Sequence, residues 1–501
     1  MNPSQLFTWF ADHLPWFSME ALVVGIGIFL LMVEAFFKVP KRDIAWAAIF
    51  GLLIIFGASF CCSSFGMEDH PSFYLVDPLS IFFKRFLLLA TIFTIVLAME
   101  YAPFYKRFIP SSTPEAGLGE LFILPIFTCA GLMWMASAVD FVMIFVSLEL
   151  VTISFYVMVA SMRRNTASLE AGVKYLILGA LSTGFLVFGI AWIAGIGQTT
   201  DLAALGRQFH LYPQLFPPHV VTPLLFGFGL VLVGLGFKVA AFPFQFWVPD
   251  VYQGAPTPIT AFLSIASKAA GFVVLIRVVY PFLELPATAG KTIGILTVLA
   301  AATLLYGNLA AIPQNNLKRL LAYSSIAHAG YLLVGVASMV PGGSPSIVAV
   351  SFYLAGYLIM TFLAFIVLQH ITVAGGNDEI SDFNGLAYRS PILAGGMLVS
   401  MLSLAGLPFT VGFLGKFFIF EAAYVAHQYW LMAFGTITVA CGFYYYLKVV
   451  RVMFWQSAPA GAPKLVVSNL SYFVIVLLSV AIFFFGVYPA PLLSVFVPVP
   501  H

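Results

Sequence analysis

Residues 234–272 read GLGFKVAAFPFQFWVPDVYQGAPTPITAFLSIASKAAGF. Two apolar runs flank a proline-rich bend, and each run carries one lysine, Lys238 and Lys268. Lys238 lies five residues before Pro243, and the apolar run continues past it through 239–242 and 244–248, so it is too deep to reach an interface. Proline removes a backbone donor and interrupts the helix ladder, and the freed carbonyls then need water or protein partners. A broken helix beside a lysine is therefore expected to make a hydrated proton site. Lys268, in LSIASKAAGFVV, is flanked by small residues that let neighbouring helices or water approach. An amine at that depth is a candidate for reversible protonation.

The composition around this stretch settles the class. Of 501 residues 61% are hydrophobic and only 8% charged, too few solubilising groups to coat globular domains. A mean hydropathy of +1.02 and 52 phenylalanines require apolar side chains to face lipid as well as one another. The expected fold class is an all-α polytopic membrane protein. A net charge of +2 points to no nucleic acid. The four cysteines, Cys61, Cys62, Cys129 and Cys441, lack C-x-x-C spacing, so small buried residues are expected rather than an iron–sulfur cluster or disulfides. The first apolar run, 19–37, is preceded by Asp12 and Glu20 and followed by Lys38, Lys41 and Arg42. That is the reverse of a secretory signal, and the run should stay as a membrane helix.

At about 20 apolar residues per span, fourteen segments are expected: 19–37, 44–62, 79–99, 120–138, 140–161, 171–196, 222–247, 257–280, 291–311, 320–340, 347–370, 391–420, 430–453 and 470–490. Only Ala138-Val139-Asp140 separates the fourth from the fifth. With the amino terminus outside, thirteen basic residues, including Arg163, Lys318, Lys448 and Lys464, fall in inside loops or helix ends. Five fall outside: Lys84, Arg85, Arg207, Arg277 and Lys291. That bias favours both termini outside. The remaining four, Lys174, Lys238, Lys268 and Lys416, lie within apolar runs. No stretch is long enough for a soluble domain, and Gly227-Phe228-Gly229, lacking a preceding strand, is expected to serve helix packing rather than dinucleotide binding.

Ionisable groups at depth are costly unless they serve a path or a partner. Lys416, in LSLAGLPFTVGFLGKFFIF, follows Gly406 and Pro408, which interrupt a run long for one straight span, so a second broken helix is expected. Glu149 is the carboxylate deep in segment 5, and Lys174, a few residues into segment 6, is expected to pair with it. His328, in SSIAHAGYLL, has an intrinsic affinity suited to a proton relay, and no second mid-membrane histidine exists to complete a haem site. Lys238 to Lys416 spans 178 positions and Glu149 to His328 spans 179. One offset thus relates segments 5 and 10 and segments 7 and 12, and an odd number of spans between counterparts is the pattern of inverted repeats.

The quoted run, with NLKRLLAYSSIAHAGYLL and LAGLPFTVGFLGKFF, closely resembles the antiporter-like proton-translocating subunits of respiratory NADH:quinone oxidoreductase (complex I). The likeness is strongest over segments 4–13. It implies a three-helix segment over 1–119, inverted five-helix repeats over 120–280 and 291–453, a final helix in 454–501, and broken helices 7 and 12 at Pro243, Gly406 and Pro408. It assigns proton translocation to Glu149, Lys174, Lys238, Lys268 and Lys416, with His328 in the relay position of the tenth helix. The chain ends soon after segment 14, which favours the N type over the family's largest member with its long lateral helix. No cofactor is expected in this chain; NADH, FMN, iron–sulfur clusters and quinone are expected in partner subunits. The partners implied are other membrane and peripheral subunits of complex I, neighbouring antiporter-like subunits among them, in a bacterial inner membrane. The competing families are multisubunit sodium/proton antiporters and membrane-bound hydrogenase or formate hydrogenlyase pumps. A passive membrane scaffold would not require so many ionisable residues at depth.

Overall fold

The computed structural model describes residues 18–61, 73–109, 117–340, 345–458 and 465–494. Asp12, Cys62 and Lys464 lie outside the described residues. Helices follow one another through short loops: α1 (Ser18–Phe36), α2 (Lys41–Cys61), α3 (Pro78–Tyr105), α4 (Leu118–Ser137), α5 (Phe141–Val159), α6 (Thr166–Gly197), the short α7 (Leu202–Leu211), α8 (Pro218–Val239) and α9 (Trp247–Gly254). There follow α10 (Thr257–Glu284), α11 (Pro286–Ala311), α12 (Leu317–Ala337), α13 (Pro345–Val373), α14 (Pro391–Ala405), α15 (Val411–Val425), α16 (Tyr429–Trp455) and α17 (Asn469–Val487).

Thirteen helices among the described residues are long and apolar enough to cross a membrane. The half-helices α14 and α15 supply the expected fourteenth, and the protein is a multi-pass membrane protein. The narrow division between segments 4 and 5 is real. Asp140 caps α5 by accepting hydrogen bonds from the amides of Val142 and Met143, so chain direction reverses within three residues.

Asp140 also forms a β-bridge to Asp201, beyond α6. Asn316, which caps α12 through the amide of Arg319, forms the matching bridge to Glu379, beyond α13. Two parts of the chain thus open on a capped helix pinned to the loop that follows its neighbour.

Every residue in the apolar windows of α10 and α12 is buried, whereas only a third is buried in those of α6, α11 and α17. The latter turn large side chains such as Ile177, Leu181, Val298 and Val480 outward, as a lipid-facing helix must. Lys268 and His328 therefore ride on the two most enclosed helices. The Gly227 pattern packs helices as expected: a Cβ at Gly189 of α6 would lie 2.6 Å from the carbonyl of Gly227 in α8.

Candidate functional site: a buried lysine and hydroxyl axis

Both expected breaks exist, and both are made by the same backbone device. At the end of α8, Ala240 takes a left-handed conformation (φ +66°), its amide donating to Phe237 and that of Ala241 to Gly236. At the end of α14, Gly406 does the same (φ +94°), its amide donating to Ser403 and that of Leu407 to Leu402. These are Schellman terminations, set by the residue at the left-handed position. Pro243 and Pro408 lie inside the unwound segments 240–246 and 406–410, downstream of the cap, and do not themselves end the helices.

The equivalence of Lys238 and Lys416 inferred from their offset changes accordingly. Lys238 precedes its cap by two residues, while Lys416 follows its cap by ten. They nevertheless serve similar places, because the Lys416 ammonium turns back and donates to the carbonyls of Leu404 (2.9 Å) and Ala405 (2.8 Å), the last two acceptors of α14. Those carbonyls have no helical partner and carry the negative end of the helix dipole.

From Lys416 the polar groups can be followed inward. Its ammonium stands 5.1 Å from the ring centre of Tyr331, which neighbours Tyr353. The Tyr353 hydroxyl meets Nδ1 of His328 at 2.6 Å, and that of Tyr446 meets Nε2 at 3.0 Å. Tyr446 also bonds Ser324. His328 packs on Tyr357 at 5.1 Å, and the Lys268 ammonium lies 5.4 Å from that same ring. Lys268 donates to the carbonyl and hydroxyl of Ser325, whose Oγ meets the Tyr252 hydroxyl at 3.2 Å. Residues 263–267, directly before Lys268, form a π-helical turn, which widens the helix where the lysine must find non-helical partners.

Lys238 is buried and donates to Thr152 Oγ1 at 2.8 Å. Among the described residues no hydrogen bond joins it to Lys268, but the two meet one face of α10: a Cβ on Gly271 would touch the Lys238 stem at 3.4 Å, and Lys268 lies one turn before that glycine.

The expected Glu149–Lys174 pair does not form. Glu149 instead accepts from Thr183 at 2.6 Å, and Lys174 binds Asp250 at 2.7 Å and Glu170 at 2.8 Å. Gly172 lies against Ala160 and Thr183 against Glu149, so the antiparallel register sets Lys174 level with Met158. Nine residues of helix, about 13 Å, then separate it from Glu149. Side chains also lean toward the amino end of their own helix, which points these two apart. Nor is Lys174 buried: its side chain is 42% exposed. The buried amine on this side of α5 is instead Lys238, which binds Thr152 one helical turn beyond Glu149. Leu148, Thr152, Thr183 and Lys238 enclose a void of about 10 Å³, close to the space of a single water.

Three charged groups escaped sequence reading. Asp250 joins Lys174 to Arg319 of α12 (2.8 Å), the group lining a cavity of about 270 Å³. Lys84, assigned to an outer helix end, is buried with Glu20 (2.9 Å) and Tyr74 (2.6 Å). Lys318, assigned to an inner end, is buried against Asp378 at 3.1 Å. The oppositely charged partners named here lie about 60 or more positions away in the chain, beyond the reach of any local pattern.

Among the described residues no group of three or more His, Cys, Asp or Glu side chains could hold a metal ion. The model of the family described as NADH:quinone oxidoreductase/Mrp antiporter, membrane region, matches residues 138–442. NADH-quinone oxidoreductase subunit N of Heliobacterium modesticaldum is 38% identical over 480 residues, 95% of this chain and 96% of its own. A chain of respiratory complex I from Thermus thermophilus superposes with a TM-score of 0.76 at 30% identity, over 95% of this chain and 98% of its own. A chain of the Mrp complex of a Dietzia species reaches 0.78 at 19% identity, over 96% of each, which shows a common fold.

Proposed function

The chain belongs to the NADH:quinone oxidoreductase/Mrp antiporter membrane family, and on that premise we propose that its buried axis is the proton path of an N-type subunit of NADH:quinone oxidoreductase. The observation that carries the reading is His328, held on both ring nitrogens by tyrosine hydroxyls and placed between two buried lysines. A neutral imidazole donates through one nitrogen and accepts through the other. A proton arriving on one side can therefore leave from the other, with Tyr353 and Tyr446 exchanging roles.

In this reading Lys238, with Glu149 as its nearby counter-charge, holds a proton in the first repeat, over 120–280. Lys268 receives it at the centre, His328 passes it on, and Lys416 releases it from the second repeat, over 291–453. Lys174 belongs to the mouth rather than to the interior pair. The breaks at Pro243, Gly406 and Pro408 admit water beside the lysines. The redox chemistry of NADH, flavin, iron–sulfur clusters and quinone belongs to partner subunits. The protein sits among the other membrane and peripheral subunits of a bacterial inner-membrane complex, next to further antiporter-like subunits and with both termini outside. Electron transfer in the partners is coupled to this path through the charge on its lysines.

Replacing Lys268 by methionine in the assembled complex tests the reading in sealed membrane vesicles. Loss of NADH-driven proton pumping with normal assembly is expected. Full pumping by that variant would leave the chain a scaffold.

A further inference from the structure

Tyr175 of α6 is fully buried, and its hydroxyl has no hydrogen-bond partner. It is the sole tyrosine among the described residues in that state. An orphaned buried hydroxyl is costly, and its persistence calls for an explanation.

Its position supplies one. The Tyr175 ring stacks on Trp247 (4.7 Å between centres) and meets Tyr156 edge-on (4.9 Å), with Phe237 at 6.0 Å. This aromatic plug stands between two polar regions. On one side is the cavity of about 270 Å³ bounded by Glu170, Lys174, Asp250, Gln253 and Arg319. Ala171, one turn before Tyr175 on the same face of α6, lines that cavity, and a helical side chain leans back over the preceding turn. On the other side is Tyr252, whose ring packs edge-on against Trp247 at 6.3 Å, the same indole on which Tyr175 stacks. Tyr252 meets Ser325 Oγ at 3.2 Å, and Ser325 bonds Lys268.

We propose that Tyr175 is a proton relay from the charged mouth to the central lysine, through Tyr252 and Ser325, on a route that bypasses Lys238. This rests on the proton-path reading above. A proton from water in the mouth binds the free oxygen lone pair of Tyr175 as the hydroxyl proton leaves, through an intervening water, toward Tyr252. Tyr252 and Ser325 repeat the exchange, and the last proton joins the lone pair of a neutral Lys268 Nζ. Each hydroxyl ends neutral, and the charge comes to rest on Lys268. Asp250 acts as the latch of this mouth, because it ties Lys174 beside Tyr175 to Arg319 across the cavity.

Tyr175→Phe keeps the ring in its stacks and removes only the oxygen. In the assembled complex in sealed vesicles, coupled turnover and pumping should fall at least fivefold. The solvent deuterium isotope effect on turnover should rise, while assembly and Tm hold or improve. Tyr252→Phe, which breaks the same route while keeping its ring on Trp247 and leaving Tyr175 unchanged, should match it, and it decides the matter if Tyr175→Phe assembles poorly. Wild-type turnover and isotope effect in these variants, beside an inactive Lys268→Met, would overturn the relay alone. Wild-type pumping in Lys268→Met as well would overturn the relay together with the reading it rests on.

Discussion

The side chains that matter most here differ in how visible their setting is from sequence. Lys238, Lys268, Lys416 and His328 were legible because long apolar flanks leave them no route to water. Lys84 and Lys318 carry the same charge but sit near helix ends beside Arg85 and Arg319, the pattern of a solvated terminus. Only the fold brings them Glu20 and Asp378. Asp77, before α3, is a similar case: it caps the helix through the Ser80 amide and accepts from Arg277, 200 positions away, at 2.8 Å. Burial alone would raise its carboxyl, but the charge and hydrogen bond of Arg277, with the bonds from Ser80, outweigh that and hold it below its ordinary value. A depressed folded-state value means stability that is complete above the unfolded value, about 3.9, and lost as pH falls through the folded one. The Tm deficit of Asp77→Asn relative to wild type should be full at pH 7 and shrink as the pH drops below about 4. A deficit unchanged by acid would remove the Asp77–Arg277 charge pair from the account.

At the scale of the element, the two broken helices show what sequence can and cannot locate. Proline and glycine marked both interruptions to within a few residues, since neither suits a helix interior. The terminators themselves are Ala240 and Gly406, and nothing in an alanine announces a left-handed cap. Substitutions here have opposite expected signs. Ala240→Gly removes the strain of a Cβ at φ +66° and should stabilise by up to about 1 kcal/mol. Gly406→Ala introduces that strain at φ +94° and brings a Cβ within 3.2 Å of Lys416 Cδ and Nζ. It should cost about 1–2 kcal/mol or more and lower pumping by displacing the ammonium from its carbonyls. Pro408→Ala, lying past the cap, should leave the break in place. Thermal melts of the three variants with vesicle pumping check the ordering, and a Gly406→Ala variant with wild-type stability and pumping would show that the cap does not set the break. The π-turn before Lys268 had no sequence signature, because LSIAS reads as ordinary helix.

Over the whole molecule, the span pattern was almost fully readable, since hydropathy alone dictates which stretches must leave water. The pairing across spans was not: their places in adjacent segments suggested Glu149 with Lys174, and antiparallel register separates them. Register depends on side-chain packing between helices, such as Gly172 on Ala160, which no single-helix pattern encodes. The same packing gathers Tyr331, Tyr353, Tyr357 and Tyr446 from three helices around His328, making a cluster of polar side chains out of tyrosines scattered over 116 positions. The central claim is that the lysines of the buried axis release and regain protons, rather than serving as fixed charges that complete the ends of broken helices. Lys416→Arg separates the two roles, because arginine keeps the charge and the donors for Leu404 and Ala405 but does not readily give up a proton. The decisive measurement is the turnover rate and proton-to-electron ratio of that variant in sealed vesicles, at matched assembly. Turnover and pumping should both fall at least tenfold, and wild-type values for both would mean that Lys416 acts as a fixed charge.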